Sequence, residues 1–144
     1  MGDLSKHFDR SEFACPCCGK LPDPIPPRLI RALEALRSLV GCPIHITSAW
    51  RCAEKNKAVG GARNSYHKSG EAADITFGGI SPKAMYHLAL YIKAFRDGGL
   101  GIYPKYQDDQ GKTRGNFIHV DVRRGAARWA KIGPQKVNFY DHSS

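Results

Sequence analysis

An α+β domain, with a small antiparallel sheet flanked by helices, is predicted by three features of the sequence. Apolar residues recur at helical spacing in two stretches, 29–40 and 85–95. The segments 44–49, 72–76, 100–103 and 117–122 are short, apolar and partly alternating, as strands are. A polar, glycine-containing loop, 104–116, joins the last two as a long hairpin, which favours α+β over a parallel α/β sheet.

The elements follow in order along the chain. Pro22, Pro24, Pro26 and Pro27 form a rigid entry to the first helix, marked by Leu29, Leu33, Leu36 and Val40 and stopped by Gly41. The run 44–49 is the first strand. Residues 51–58 read as a short helix ended by Gly60-Gly61, and 72–76 as a second strand. Ser81-Pro82 opens the next helix, with Met85, Leu88, Ala89, Ile92 and Phe95 on one face and Gly98-Gly99 at its end. At 144 residues the chain is expected to be one domain, with a core over about 7–132 and an irregular tail over 133–144.

Composition removes several function classes. A hydrophobic fraction of 42% and a charged fraction of 24% exclude disorder, collagen-like repeats and a disulfide-dense mini-protein. No apolar run approaches the roughly 18 residues of a membrane span. The start, MGDLSKHFDRSEF, lacks the apolar core of a signal peptide. The expectation is a protein made in the cytoplasm, with no membrane partner. The balance of 22 Lys plus Arg against 13 Asp plus Glu gives +9 and asks for an acidic partner. Those basic residues are spread along the chain with no groove-reading motif, so nucleic-acid binding rests on charge alone and no specific nucleic-acid partner is expected. The patch Arg123-Arg124-x-x-x-Arg128 reads as a solvated face.

Five cysteines admit two readings. Cys15, Cys17 and Cys18 cluster near the N-terminus, while Cys42 and Cys52 flank one apolar segment. A zinc ribbon expects two separated Cys-x-x-Cys pairs, and only Cys15-Pro16-Cys17-Cys18 has that spacing. Structural thiols, with one opportunistic pair, therefore weigh more than a Cys-based metal site.

The chemistry lies in two stretches. In Ser65-Tyr66-His67-Lys68-Ser69-Gly70-Glu71-Ala72-Ala73-Asp74, Gly70 lets the chain turn between a loop histidine and a strand aspartate. In Phe117-Ile118-His119-Val120-Asp121-Val122, His119 and Asp121 share a strand face. Two imidazoles and a carboxylate match the three-ligand pattern of catalytic zinc. Scattered histidines are, however, ordinarily surface or satisfied core residues, and His45 and His87, on a strand and a helix, read as satisfied structural histidines.

Ser48-Ala49-Trp50-Arg51, then Asn56, Gly60-Gly61, Ser65-x-His67-x-x-Gly70-x-Ala72-x-Asp74 and His119-Val120-Asp121, resemble the zinc D-alanyl-D-alanine carboxypeptidase family. That family also holds the L-alanyl-D-glutamate endopeptidases of phage endolysins and the D-Ala-D-Ala dipeptidases of vancomycin resistance, and the hedgehog signalling domain shares its fold and zinc site. The opening His7-Phe8-Asp9-Arg10-Ser11-Glu12-Phe13 resembles phage-associated members. The resemblance implies Zn2+ as cofactor, His67, Asp74 and His119 as its ligands, and Arg51 as the residue that holds a substrate carboxylate or polarises its carbonyl. A guanidinium fork suits that task.

One position departs from the family. Many members carry an acidic general base three residues before the third ligand, where this chain has Asn116, and some carboxypeptidases have a histidine where Phe117 stands. General-base help is worth roughly 10²–10⁴ in rate, so the departure matters. Asp121 is the nearest replacement, although a carboxylate that orients a ligand histidine or an arginine is its stronger reading. Asp108 and Asp109, in the 104–116 loop, are further candidates.

The resemblance thus implies a zinc metallopeptidase, a hydrolase of peptidoglycan stem peptides acting as a carboxypeptidase or an endolysin-type endopeptidase. The stem peptide would be its partner, and a monomer is expected. A wall-cutting enzyme made without a signal peptide fits a phage or prophage product. The alternative is a zinc-containing, non-catalytic module that binds cell-wall peptide or a protein partner, which Asn116 favours.

Overall fold

A computed structural model describes residues 2–15, 18–21, 24–52, 57, 66–132 and 135–141, with residues 132 and 135–141 described by their backbone. The predicted helix over 51–58, with Asn56, Gly60-Gly61 and Ser65, therefore falls largely outside the described residues.

A 3-10 turn at Arg10–Phe13 precedes helix α1, Pro27–Val40. Proline at the first helical position sacrifices no hydrogen bond, because the first amides of a helix have no partner within it. Leu29, Ala32, Leu33 and Leu36 recur every three or four residues and are buried. Fully burying each leucine contributes about 1.5–3 kcal/mol. The chain continues through β1 (Ile44–Ser48), a one-turn helix α2 (Tyr66–Ser69), and β2 (Ala72–Phe77). Next come α3 (Pro82–Ala89), the short α4 (Lys93–Arg96) and β3 (Gly99–Tyr103). A small hairpin of β4 (Tyr106–Gln107) and β5 (Thr113–Arg114) leads to β6 (Phe117–Asp121), β7 (Ala127–Ile132) and β8 (Gln135–Asp141).

The main sheet has the order β1-β2-β6-β3-β7-β8 and is antiparallel except where β3 meets β7. The α+β class and the β3–β6 pairing agree with the sequence. Three local expectations need correction. The helix expected to run on to Phe95 breaks after Ala89: Ile92 takes an extended conformation (φ −93°, ψ 112°) before α4 begins, and Phe95 is wholly buried. The parallel pair arises because the loop 122–126 carries the chain past the start of β3 and returns it beside β3 in the same direction. The tail is not irregular, because residues 135–141 form a backbone ladder with β7 as an edge strand.

Strand alternation sorts the sheet into two chemical faces. Ile75, Phe77, Leu100, Ile118 and Val120 join the core with α1, α3 and α4. The residues between them on β2, β6 and β3 (Asp74, His119, Asp121, Gly99 and Gly101) stand on the opposite face.

Glu34 of α1 ties the N-terminal segment to this core. Its carboxylate accepts hydrogen bonds from Ser5 Oγ (2.6 Å) and the His7 amide (2.7 Å), and lies 2.6 Å from His7 Nδ1. Partial burial opposes the charge, but these partners outweigh it and hold the carboxyl below the usual glutamate range. Replacing Glu34 with glutamine should therefore cost about 1–2 kcal/mol in urea unfolding near neutral pH. A lowered folded pKa gives stability that is complete above the ordinary glutamate value and lost as pH falls through the folded value. The difference between the two proteins should shrink over that acidic window, and a pH-independent difference would contradict this role for the carboxylate.

Candidate metal centre

Backbone register brings the site residues into one row across the sheet. Asp74 of β2 lies opposite His119 of β6, His119 opposite Gly101 of β3, and Gly101 opposite Trp129 of β7. Gly101 is required by its neighbour, since a side chain there would overlap the Trp129 indole. His67 enters the same spot from α2, one turn before Gly70, which at φ 80° swings the chain into β2. His67 is thus helical rather than in a loop, but the predicted turn at Gly70 is present.

The three side chains converge and are buried at 2%, 5% and 6% exposure for His67, Asp74 and His119. Asp74 Oδ1 is 3.1 Å from His67 Nε2 and 3.2 Å from His119 Nδ1, and the two rings meet edge to face. The other nitrogen of each ring is held from behind. His67 Nδ1 lies 2.5 Å from the Ala49 carbonyl, and His119 Nε2 lies 2.6 Å from Asp121 Oδ2.

A carbonyl can only accept, so His67 carries its proton on Nδ1 and turns the Nε2 lone pair towards Asp74. The charged Asp121 fixes His119 in the opposite tautomer and turns its Nδ1 lone pair to the same point. Two nitrogen lone pairs and a carboxylate oxygen therefore aim at one another within 4.8 Å. That set repels itself until a cation occupies its centre, and it has the nitrogen and oxygen donors zinc takes. Outer partners on both imidazoles are the usual support of metal-binding histidines.

Burial opposes the Asp74 charge, yet His67 and then His119 hold its carboxyl well below the usual range. For His119, burial favours the neutral ring, but Asp121 and Asp74 at its two nitrogens outweigh it and raise the pKa, because a proton on Nδ1 facing Asp74 can take the place of the cation that the lone pair would otherwise bind. Arg51 adjoins the centre: its amide donates to the His67 carbonyl (3.1 Å), and its Nη2 lies 3.4 Å from Asp74 Oδ2. Thr47 Oγ1 donates to the Asp74 carbonyl at 3.1 Å, beside the irregularity in the β1–β2 ladder.

A family model described as peptidase M15 matches residues 6–121. The chain belongs to the peptidase M15 family. It is 33% identical over 111 residues to the peptidoglycan L,D-endopeptidase MepK of Escherichia coli strain K12, covering 72% of this chain and 53% of that protein. The same figures hold for MepK of Escherichia coli O157:H7 and of Shigella flexneri. The chain spans about half the length of these curated relatives.

In this M15 chain Asp121 is fully buried, and its carboxylate is engaged on several sides. Besides meeting His119, it accepts from the Gly99 amide (2.8 Å) and from Arg123 Nε (2.9 Å) and Nη2 (2.7 Å). Burial resists the charge, but His119 and Arg123 hold the carboxyl far below its usual range. Asn116 stands three residues before His119, exposed and in the left-handed region at φ 69°, a conformation asparagine tolerates well. Asp108 does not swing over the centre. It closes the β4–β5 hairpin by accepting from the Gln110 and Lys112 amides and Arg114 Nε.

Sequence reasoning missed Arg123. Instead of a solvated patch, its guanidinium lies 4.2 Å from the Tyr66 ring centroid and 5.2 Å from that of Trp129, while pairing with Asp121. Its position two residues beyond Asp121 was the available signal. Arg128 is also buried, donating to the Gly98 and Arg96 carbonyls. Trp129 Nε1 donates to the Tyr103 hydroxyl (2.9 Å), whose pKa burial raises, and Tyr103 stacks on Phe117. Trp50 Nε1 donates to the Lys68 carbonyl at 3.0 Å. His45 and His87 sit at exposed positions, so neither is a core histidine.

Proposed function

We propose that this chain is a zinc-dependent peptidase that hydrolyses peptide bonds in peptidoglycan stem peptides, with endopeptidase cleavage favoured over carboxypeptidase release. The convergence of His67 Nε2, Asp74 Oδ1 and His119 Nδ1, with both remaining ring nitrogens engaged, carries the reading. Membership of the M15 family supports peptide hydrolysis, and the likeness to an L,D-endopeptidase supports the substrate class and the preference for an internal bond.

His67, Asp74 and His119 would hold the metal. Bound zinc supplies Lewis acidity towards a carbonyl and lowers the pKa of water. The chain's own residues do the rest. Ala49 and Asp121 fix the tautomers of the two histidines, and Arg123 keeps Asp121 ionised. Arg51, buried to 14% side-chain exposure beside Asp74, offers a permanent charge to a substrate carboxylate or carbonyl. The Tyr103 hydroxyl stays protonated at neutral pH and accepts from Trp129, which leaves its own hydrogen to donate.

Mass spectrometry of purified muropeptides, treated with the zinc-loaded protein, tests the reading. Cleavage at an internal linkage is expected, whereas release of D-Ala alone would make it a carboxypeptidase. Arg51→Ala should lower kcat/KM about 10- to 150-fold, the worth of a hydrogen bond to a charged group, and Arg51→Lys should not restore it. Asn116 in the position the resemblance assigns to a base supports a second reading, a zinc-bearing module that binds wall peptide without cutting it. Binding of muropeptide with no product from the loaded protein would establish that reading and remove the first.

A further inference from the structure

A second cluster of metal-binding atoms lies outside the histidine centre. The thiols of Cys15, Cys18 and Cys52 lie within 4.8 Å of one another, although Cys52 is far from the other two in sequence. The Sγ atoms of Cys15 and Cys52 are 3.5 Å apart. A disulfide needs about 2.05 Å. Tetrahedral zinc thiolates, with Zn–S near 2.3 Å, place their sulfurs about 3.8 Å apart, which is the closer match.

The backbone is shaped for the same purpose. Cys15 and Cys18 have the Cys-x-x-Cys spacing of zinc sites, with Pro16 after the first and Gly19 after the second. The Cys15 amide donates to the Lys20 carbonyl and the Gly19 amide to the Cys15 carbonyl, both at 2.7 Å, closing a tight turn with Gly19 at φ 70°. This turn presents Cys15, itself fully buried, and the exposed Cys18 towards Cys52. Cys42 stands apart, beside Gly78.

We propose that Cys15, Cys18 and Cys52 form a structural zinc-thiolate site, distinct from the His-Asp-His centre, with water or a further donor in the fourth position. It fastens the N-terminal turn to the segment that follows β1. That segment carries the Ala49 carbonyl behind His67 and the Arg51 amide bonded to the His67 carbonyl, so the clamp also steadies the first ligand of the histidine centre.

Metal analysis and cobalt substitution of the full chain, prepared under reducing conditions, test this. Wild-type protein should hold two equivalents of zinc. Cys18→Ser alters an exposed side chain and should hold one, and so should His67→Ala. The cobalt-substituted wild type should show thiolate-to-cobalt charge-transfer absorption in the near ultraviolet. This absorption should persist in His67→Ala and be lost in Cys18→Ser and Cys52→Ser, so failure of either site is read independently of the other. A Cys15–Cys52 disulfide in the reduced preparation, or a wild-type cobalt spectrum without charge-transfer bands, would overturn the site even if both cysteine variants failed to fold.

Discussion

Replacing His119 with alanine is expected to abolish muropeptide hydrolysis and to empty the histidine centre of metal. His119 supplies the Nδ1 lone pair opposite Asp74, so its loss leaves two donors where catalytic zinc needs three. Lewis-acid stabilisation amounts to several kcal/mol, so the fall in kcat should be on the order of 10³-fold or more. The fold should survive, because Asp121 keeps Arg123 and the Gly99 amide, and Asp74 keeps His67 and Arg51. Zinc should raise the Tm of wild type through this centre, and that part of the shift should vanish in the variant. Activity within tenfold of wild type would rule out His119 as a ligand.

The candidate metal-binding set was legible in the sequence because each member sits in a local pattern. Gly70 turns the chain between His67 and Asp74 at a fixed offset, and His119 and Asp121 share a face by strand alternation. The strands carrying them were equally visible, since their other faces are runs of buried Ile and Val. What stayed hidden depends on partners distant in sequence. Arg123 and Arg128 read as surface charges because nothing local reveals the aromatic rings and carbonyls that receive them. Strand β7 holds the buried Arg128 beside Trp129, which masks its alternation, and β8 is an edge strand held by a backbone ladder that composition does not report. The break between α3 and α4 leaves the apolar spacing unchanged, so periodicity could not show it. Cys52 completes the thiol cluster only through the tertiary fold, which is why one Cys-x-x-Cys looked incomplete.

Asp121 is where charge and geometry can be separated. Asp121→Asn keeps the shape of a wholly buried side chain but removes the charge that faces Arg123 and holds His119 in its tautomer. Removing one partner of a buried ion pair costs about 3–5 kcal/mol. Arg123 retains the Tyr66 and Trp129 rings, so about 2–4 kcal/mol is expected near neutral pH. Because the folded carboxyl titrates well below its usual range, its stabilisation is complete above the ordinary aspartate value and is lost as pH falls through the folded pKa. The variant's deficit should therefore hold from neutral pH to about pH 4 and close only in stronger acid. Zinc affinity should fall about 10- to 100-fold, as for other outer partners of metal-binding histidines, while the limbs of the pH–rate profile stay in place once metal is saturating. Gly99→Ala supplies the complementary test. It leaves every charge intact, but its new methyl group would overlap the Asp121 carboxylate and force it away from His119. Both variants should lose metal affinity if Asp121 acts by orienting His119. An Asp121→Asn enzyme that binds zinc normally, yet lacks the acidic limb of its profile, would instead make Asp121 the general base that Asn116 cannot be.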